Sequence, residues 1–194
     1  MLRKILGITL VLFSVPAFAA DLSYNYFQLG YQSVDLDDDF LSGFDTDGDG
    51  FALGGSFEIN ESWFIGVDYS SVDFDFGIDL DQYSIGAGWH TELTDNADFY
   101  AMVSYVSAEV SASGFGDADE DGIGAKIGVR GMIGEQFELG GSLSYVDLGD
   151  AGDGTAIGGH AIYNFTPNVG AGVTIELDDD VTAYGVGVRL YFGN

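Results

Sequence analysis

The chain alternates. From residue 22 onward, apolar residues and small or polar residues take turns with a period of two, in segments of about ten residues bounded by turn-forming clusters. The pattern predicts ten strands, over 22–34, 50–59, 63–76, 79–93, 98–112, 119–133, 136–148, 155–165, 169–177 and 181–192, arranged as five hairpins. No apolar stripe of helical period follows the first twenty residues. The connections alternate too. One set is tight: Asn60-Glu61, the TDNA turn at 94–97, Gly134-Glu135 and Thr166-Pro167-Asn168. The other set is acidic and mostly longer: 35–49, 113–121, 148–154 and 178–180, with a short member near Gly77. Long loops at one end and short turns at the other are the layout of a membrane β-barrel.

The two faces of each segment say which side meets lipid. In 119–133, Ile123, Ala125, Ile127, Val129 and Ile133 share one face, and Gly122, Gly124, Lys126, Gly128 and Arg130 the other. In 181–192, Tyr184, Val186, Val188, Leu190 and Phe192 oppose Gly185, Gly187 and Arg189. Lys126, Arg130 and Arg189 all fall on the small, polar face, together with Glu58, Asp68, His90, Glu138, His160 and Glu176. A soluble barrel would put such charges on a wide wet exterior. A glycine-rich polar face suits the inside of a narrow barrel, so the apolar face meets lipid. Backbone groups in lipid must all be paired, which requires the sheet to close. Trp63, Trp89, Phe99, Tyr100, Phe137, Tyr163, Phe165, Tyr191 and Phe192 lie next to the short-turn end and predict an aromatic girdle at the inner interface.

Composition adds an export signal and an extreme charge. Arg3 and Lys4 precede the apolar run ILGITLVLFSVPAFAA, which ends in Ala17-Phe18-Ala19. That is a secretory signal, and the run is too short for a stable membrane helix. The mature chain is expected to start at Ala20 or Asp21 and to be one barrel domain over 21–194. It keeps 3 of the 5 basic residues and all 32 acidic ones, a net charge of −29. Nucleic acid is excluded as a partner on that charge. There is no cysteine, hence no disulfide framework. Yet 46% of residues are hydrophobic and 14% aromatic, so the chain is not an acidic disordered one.

Taken together, the signal, the opening YNYFQLGYQSVDLD and the closing VTAYGVGVRLYF resemble the small outer-membrane β-barrel proteins of Gram-negative bacteria, the OmpA-like and OmpX-like class. Within the last strand, Gly187, Leu190 and Phe192 match the C-terminal assembly signal of that class, although Val186 stands where a polar residue is usual and Gly193-Asn194 follow the aromatic. The resemblance implies an all-β, closed, antiparallel up-and-down transmembrane barrel in the outer membrane. It implies contact with outer-membrane lipid and lipopolysaccharide, and recognition by the barrel-assembly machinery during insertion. The commonest small members have eight strands, which stands as the alternative to the ten counted here.

Two acidic stretches invite a metal. Asp45, Asp47, Asp49 and Gly50, and again Asp117, Asp119, Asp121 and Gly122, fit the D-x-D-x-D-G opening of a calcium loop. The bidentate Glu expected at the twelfth position is missing, since Ser56 and Gly128 stand there. The residues equally suit hydrophilic turns. Calcium at these loops, specific or shared with anionic lipopolysaccharide, is thus one expectation among several. No catalytic constellation appears: there is no G-x-S-x-G elbow, and the chain has two histidines only, His90 and His160. The expected function is a structural or adhesion-type envelope barrel. Its lumen is expected to be plugged by Lys126, Arg130 and Arg189 paired with Glu58, Asp68, Glu138 and Glu176, with His160 beside them. The alternative is a narrow, cation-preferring, porin-like channel widened by the lumen glycines.

Overall fold

The computed structural model describes residues 22–36, 47–74, 77–112 and 116–193. The expected signal peptide, and Asp45 of the first acidic stretch, lie outside the described residues. Ten strands follow in chain order: β1 (Tyr26–Leu36), β2 (Asp47–Asn60), β3 (Trp63–Phe74), β4 (Ile78–Thr94), β5 (Ala97–Ala112), β6 (Gly116–Ile133), β7 (Phe137–Asp147), β8 (Asp153–Thr166), β9 (Val169–Leu177) and β10 (Val181–Tyr191). Each pairs antiparallel with its sequence neighbours. β10 also pairs with β1, from Tyr26↔Tyr191 to Leu36↔Val181, and the sheet closes into a barrel. Ten strands, not eight, surround the lumen. At the tight β6–β7 turn Gly134 has φ +67°, a left-handed conformation that glycine adopts without strain.

The first segment differs from its expectation. Alternation predicts a strand from residue 22, but β1 begins at Tyr26. Residues 22–25 leave the wall and enter the lumen, as described below.

Several strands are longer than a bilayer needs. β4, β5 and β6 have 17, 16 and 18 residues, whereas a tilted strand crosses the hydrocarbon in about 9–11. The extra length lies at the long-loop end, and there the polarity of the wall inverts. In the lower part of β5 the outward residues are Phe99, Ala101 and Val103, and Asp98, Met102 and Ser104 point inward. Past Tyr105 the outward residues become Ser107, Glu109 and Ser111, while Val106, Ala108 and Val110 fill the inside. β4 changes over at Tyr83, β3 at Tyr69, β1 at Tyr31 and β7 at Tyr145 in the same way. Below this ring of tyrosines the barrel is built for lipid. Above it, it is built like a soluble barrel, with an apolar core and a charged exterior. The tyrosines, amphipathic and at one level, mark the outer membrane–water interface. Several hydroxyls donate to carboxylates just above them: Tyr69 to Asp81 at 2.6 Å, Tyr31 to Asp49 and Tyr105 to Asp121.

Candidate functional site

The lumen is the place where inward side chains could pass, bind or exclude a solute, and inward side chains meet across it at three levels. At the short-turn end the stopper is the segment Leu22–Asn25. Glu58, at the rim of β2, holds it: Asn25 Nδ2 and the Tyr24 backbone N–H donate to the two Glu58 carboxylate oxygens at 2.7 and 3.2 Å, and the Glu58 N–H donates to Asn25 Oδ1 at 3.0 Å. This turns Tyr24 inward, with 3% exposure. Its ring stacks on His90 at 3.9 Å and on Phe64 at 4.6 Å, and the Arg130 guanidinium lies 3.8 Å from its centroid. Its hydroxyl donates to Asp98 at 3.4 Å. The void left between Tyr24, Tyr26, Phe64, Asp68, Tyr100 and Met102 measures about 20 Å³, room for little more than one water.

The arrangement of charges differs from the expected ion pairs. Glu58 is exposed at the rim, not in the lumen. Arg130 donates to the Ser23 carbonyl at 3.3 Å and stacks on Tyr24. Arg189 donates to Gln28 Oε1 at 2.6 Å, with Tyr26 and Tyr191 at 4.0 and 5.8 Å from its guanidinium carbon. Neither arginine forms an ion pair among the described residues. A flat, weakly hydrated guanidinium exchanges water for an aromatic face at little cost, and the tyrosines share its inward parity. The acids take other partners. Glu138, fully buried, meets His160 Nε2 at 3.2 Å, and Asp98 meets His90 Nδ1 at 3.5 Å. Lys126 lies in the field of both Asp68 and Glu176.

Higher up, Ile162 of β8 packs against Ala52 of β2 on the far wall. It passes over the row Gly30–Gly187–Gly172, which is aligned across β1, β10 and β9. At the long-loop end, Val34, Leu36, Val72, Leu80, Val106, Ala108, Val110, Val146, Leu148, Val181 and Ala183 form one buried apolar cluster. Several lumen glycines face packed side chains. A Cβ on Gly128 would meet the Tyr100 ring at 2.5 Å, one on Gly88 would run into the Phe64 ring, and one on Gly140 into the His160 ring. They are small because a neighbouring strand fills the space.

The remaining sequence-predicted residues fall as follows. Trp63, Trp89, Phe99, Phe137, Tyr163, Phe165 and Phe192 lie on the outer face near the short turns; contacts there include Trp89–Phe99 at 6.4 Å and Phe137–Tyr163 at 5.0 Å. Phe27 and Phe57 join them, 5.1 and 5.4 Å from Phe192, and alternation could have placed both there. Tyr100 and Tyr191 do not belong to this girdle. They point inward, 6% and 4% exposed, because they share parity with Asp98 and Arg189. Leu190 faces outward, while Gly187 lies inside, 2.9 Å from the Leu29 carbonyl at its ideal Cβ. Asp47, Asp49, Asp117, Asp119 and Asp121 lie within β2 and β6 rather than in loops, all on the outer face. In a strand, i and i+2 carboxylates stand about 7 Å apart and do not wrap one ion. No group of three or more metal-ligating side chains occurs among the described residues.

Several solved structures are similar in shape. The KdgM porin in complex with disordered oligogalacturonate matches with a TM-score of 0.50 at 11% identity, over 87% of this chain and 99% of that one. The attachment invasion locus protein Ail of Yersinia pestis matches with a TM-score of 0.45 at 16% identity, over 88% and 100%. Neisserial surface protein A matches with a TM-score of 0.45 at 18% identity, over 88% and 98%. Among curated proteins no sequence matches. The sequence does match a family described as outer membrane protein beta-barrel domain over residues 6–192, nearly its whole length. With its closed ten-stranded wall and lipid-facing apolar belt, the chain belongs to that family and resides in the outer membrane of a Gram-negative bacterium.

Proposed function

We propose that this protein is a closed envelope barrel of structural or adhesion type, which acts through its acidic outer surface and does not pass solutes. The observation that supports the reading is the packing of inward side chains at three levels: Tyr24 among His90 and Phe64, the Ile162–Ala52 contact and the outer apolar cluster. The outer surface offers the binding area. Above the tyrosine ring, Asp49, Asp73, Asp79, Glu109, Asp119 and Asp121 all face outward on paired strands. Lipopolysaccharide is anionic too, so contact at this level requires shared divalent cations, calcium among them. β10, with Gly187, Leu190 and Phe192, is the segment offered to the barrel-assembly machinery. The proposal includes no catalysis; both histidines are engaged inside the wall, with Asp98 and Glu138.

Planar-bilayer conductance of the refolded mature barrel tests the reading, with folding verified by heat-modifiable gel mobility. A silent bilayer is expected. Reproducible cation-preferring steps would replace the closed barrel by the porin-like alternative.

A further inference from the structure

Above the tyrosine ring two opposed contributions act on the strands. Inside, Val72, Leu80, Val106 and Val110 pack into the outer apolar cluster and draw the wall together. Outside, the register sets carboxylates directly opposite one another. Asp49 of β2 faces Asp73 of β3, and Asp73 faces Asp79 of β4, in one row across three strands. A second row runs from Asp81 of β4 through Glu109 of β5 to Asp119 of β6. All six point outward. Like charges directly opposite each other weaken a strand pair. Among the described residues no base relieves them, since Lys126, Arg130 and Arg189 are buried in the lumen. Asp49 and Asp81 accept hydrogen bonds from Tyr31 and Tyr69. Asp73, in contrast, has a carboxylate on each side. Its contact with Asp79 is a hydrogen bond between two carboxyl groups, which requires a proton on one of them.

We propose that the wall above the tyrosine ring is tightened by salt and by acid. Low ionic strength at neutral pH loosens its strand pairing, while the lipid-facing belt below stays fixed. The length scales fit. Directly opposed Cβ atoms stand about 4.5–5.5 Å apart. The Debye length is about 30 Å at 0.01 M salt and about 3 Å at 1 M, so the repulsion acts in full at the first and is largely screened at the second. Acid acts in the same direction. The groups around the Asp73–Asp79 pair are Asp49 on β2, Asp81 on β4, and Ser111 and Glu109 on β5, with no cation among them. Burial, and then the carboxylates of Asp73 and Asp81, hold the Asp79 carboxyl above its ordinary range. A carboxyl raised in the folded state adds stability that is full below the unfolded value of about 3.9. That stability is lost as pH rises through the folded value.

Such loosening is local, so the test reads the backbone. Amide hydrogen exchange of the refolded barrel in zwitterionic vesicles is followed by mass spectrometry at one neutral pH, in about 0.01 M and about 1 M NaCl. Protection of the segments around Val72, Leu80 and Val110 should rise at least about fivefold with salt. Segments around Ile65, Ile85 and Ile127, in the belt, should not change. Asp73→Asn removes both like-charge contacts at the centre of its row, and should give β3 and β4 their high-salt protection already in low salt. Asp117→Asn, on the same wall but opposite Ser111, should not. Asp73→Lys should reverse the salt dependence of these two strands. If the variants fold poorly, a pH series on the unaltered barrel, corrected for intrinsic exchange, is the second measurement, and acid should increase the protection of the upper segments. Protection indifferent to salt, an equal response in the belt, equal effects of Asp73→Asn and Asp117→Asn, or loosening in acid would each overturn the proposal. So would tightening by Mg²⁺ at low ionic strength with none by NaCl, which would make a bound divalent cation the cause. Steady conductance by a barrel that shows the salt response would sink the closed-lumen reading alone.

Discussion

Tyr24 has four partners, one from each of β3 to β6, and each makes a different demand on it. His90 and Phe64 use its faces, Arg130 its π-cloud and Asp98 its hydroxyl. Tyr24→Phe deletes one buried hydrogen bond and should lower the unfolding free energy by about 1 kcal/mol. Tyr24→Ala removes the stacked ring as well and should cost about 3 kcal/mol or more. Urea unfolding in lipid or detergent separates the two; equal losses would mean that the ring contacts contribute nothing. The glycines offer a second residue-scale contrast. A Cβ on Gly172 would lie 2.5 Å from the Ala161 carbonyl oxygen and 2.8 Å from Ile162 Cγ1, while one on Gly141 finds its nearest neighbour at 3.7 Å. Gly172→Ala should therefore destabilise by about 1–3 kcal/mol through overpacking, and Gly141→Ala should stabilise by about 0.5–1 kcal/mol through lost backbone freedom in the unfolded chain. Similar effects of the two, in the same unfolding measurement, would contradict the packed lumen.

At the scale of the strand, the informative feature is the reversal of polarity along one uninterrupted ladder. β6 pairs with β5 from Ala97↔Gly131 to Ala112↔Gly116 without a register shift, so the alternation never breaks. Only the chemistry assigned to each parity changes, because lipid lies outside the lower wall and water outside the upper wall. The sequence had suggested loops at 35–49 and 113–121, since aspartate and glycine are turn formers. Continued pairing overrides that propensity: Asp117 opposes Ser111 and Asp119 opposes Glu109. Replacing Asp117, Asp119 and Asp121 together by Asn should change stability by no more than about 0.5 kcal/mol, as surface substitutions do. It should also weaken Mg²⁺- or Ca²⁺-dependent co-sedimentation with lipopolysaccharide vesicles. Undiminished, chelator-sensitive co-sedimentation of the variant would remove these residues from the lipid contact.

For the whole molecule, the proposed closures would act in series along one lumen. Removing one of them leaves the others shut. Tyr24→Ala should thus remain silent in planar bilayers although its inner mouth is open, because Val106 and Val110 at 0% exposure still seal the outer half. A conducting Tyr24→Ala barrel would mean that the outer apolar cluster lets ions past. The outer wall also shows how an acidic chain holds a compact barrel. Asp79, Asp81, Glu109, Asp117, Asp119 and Asp121 stand above the tyrosine ring in water and face away from the axis, where repulsion is screened within about 8–10 Å.

Alternation alone determined the fold class, the face that meets lipid and which residues point inward, because a period of two fixes side-chain direction and a bilayer leaves no unpaired backbone. On that basis the parity of Tyr100 and Tyr191 was already legible beside Asp98 and Arg189, and grouping them with the girdle overlooked it. What only the tertiary structure decided is which inward side chains meet across the lumen. Ile162 meets Ala52, 110 positions earlier in the chain, Tyr24 lies outside the ladder and meets Arg130, and Glu138 takes His160 in place of an arginine. Those meetings depend on strand number, stagger and tilt, which the closed barrel sets as a whole and no single segment encodes.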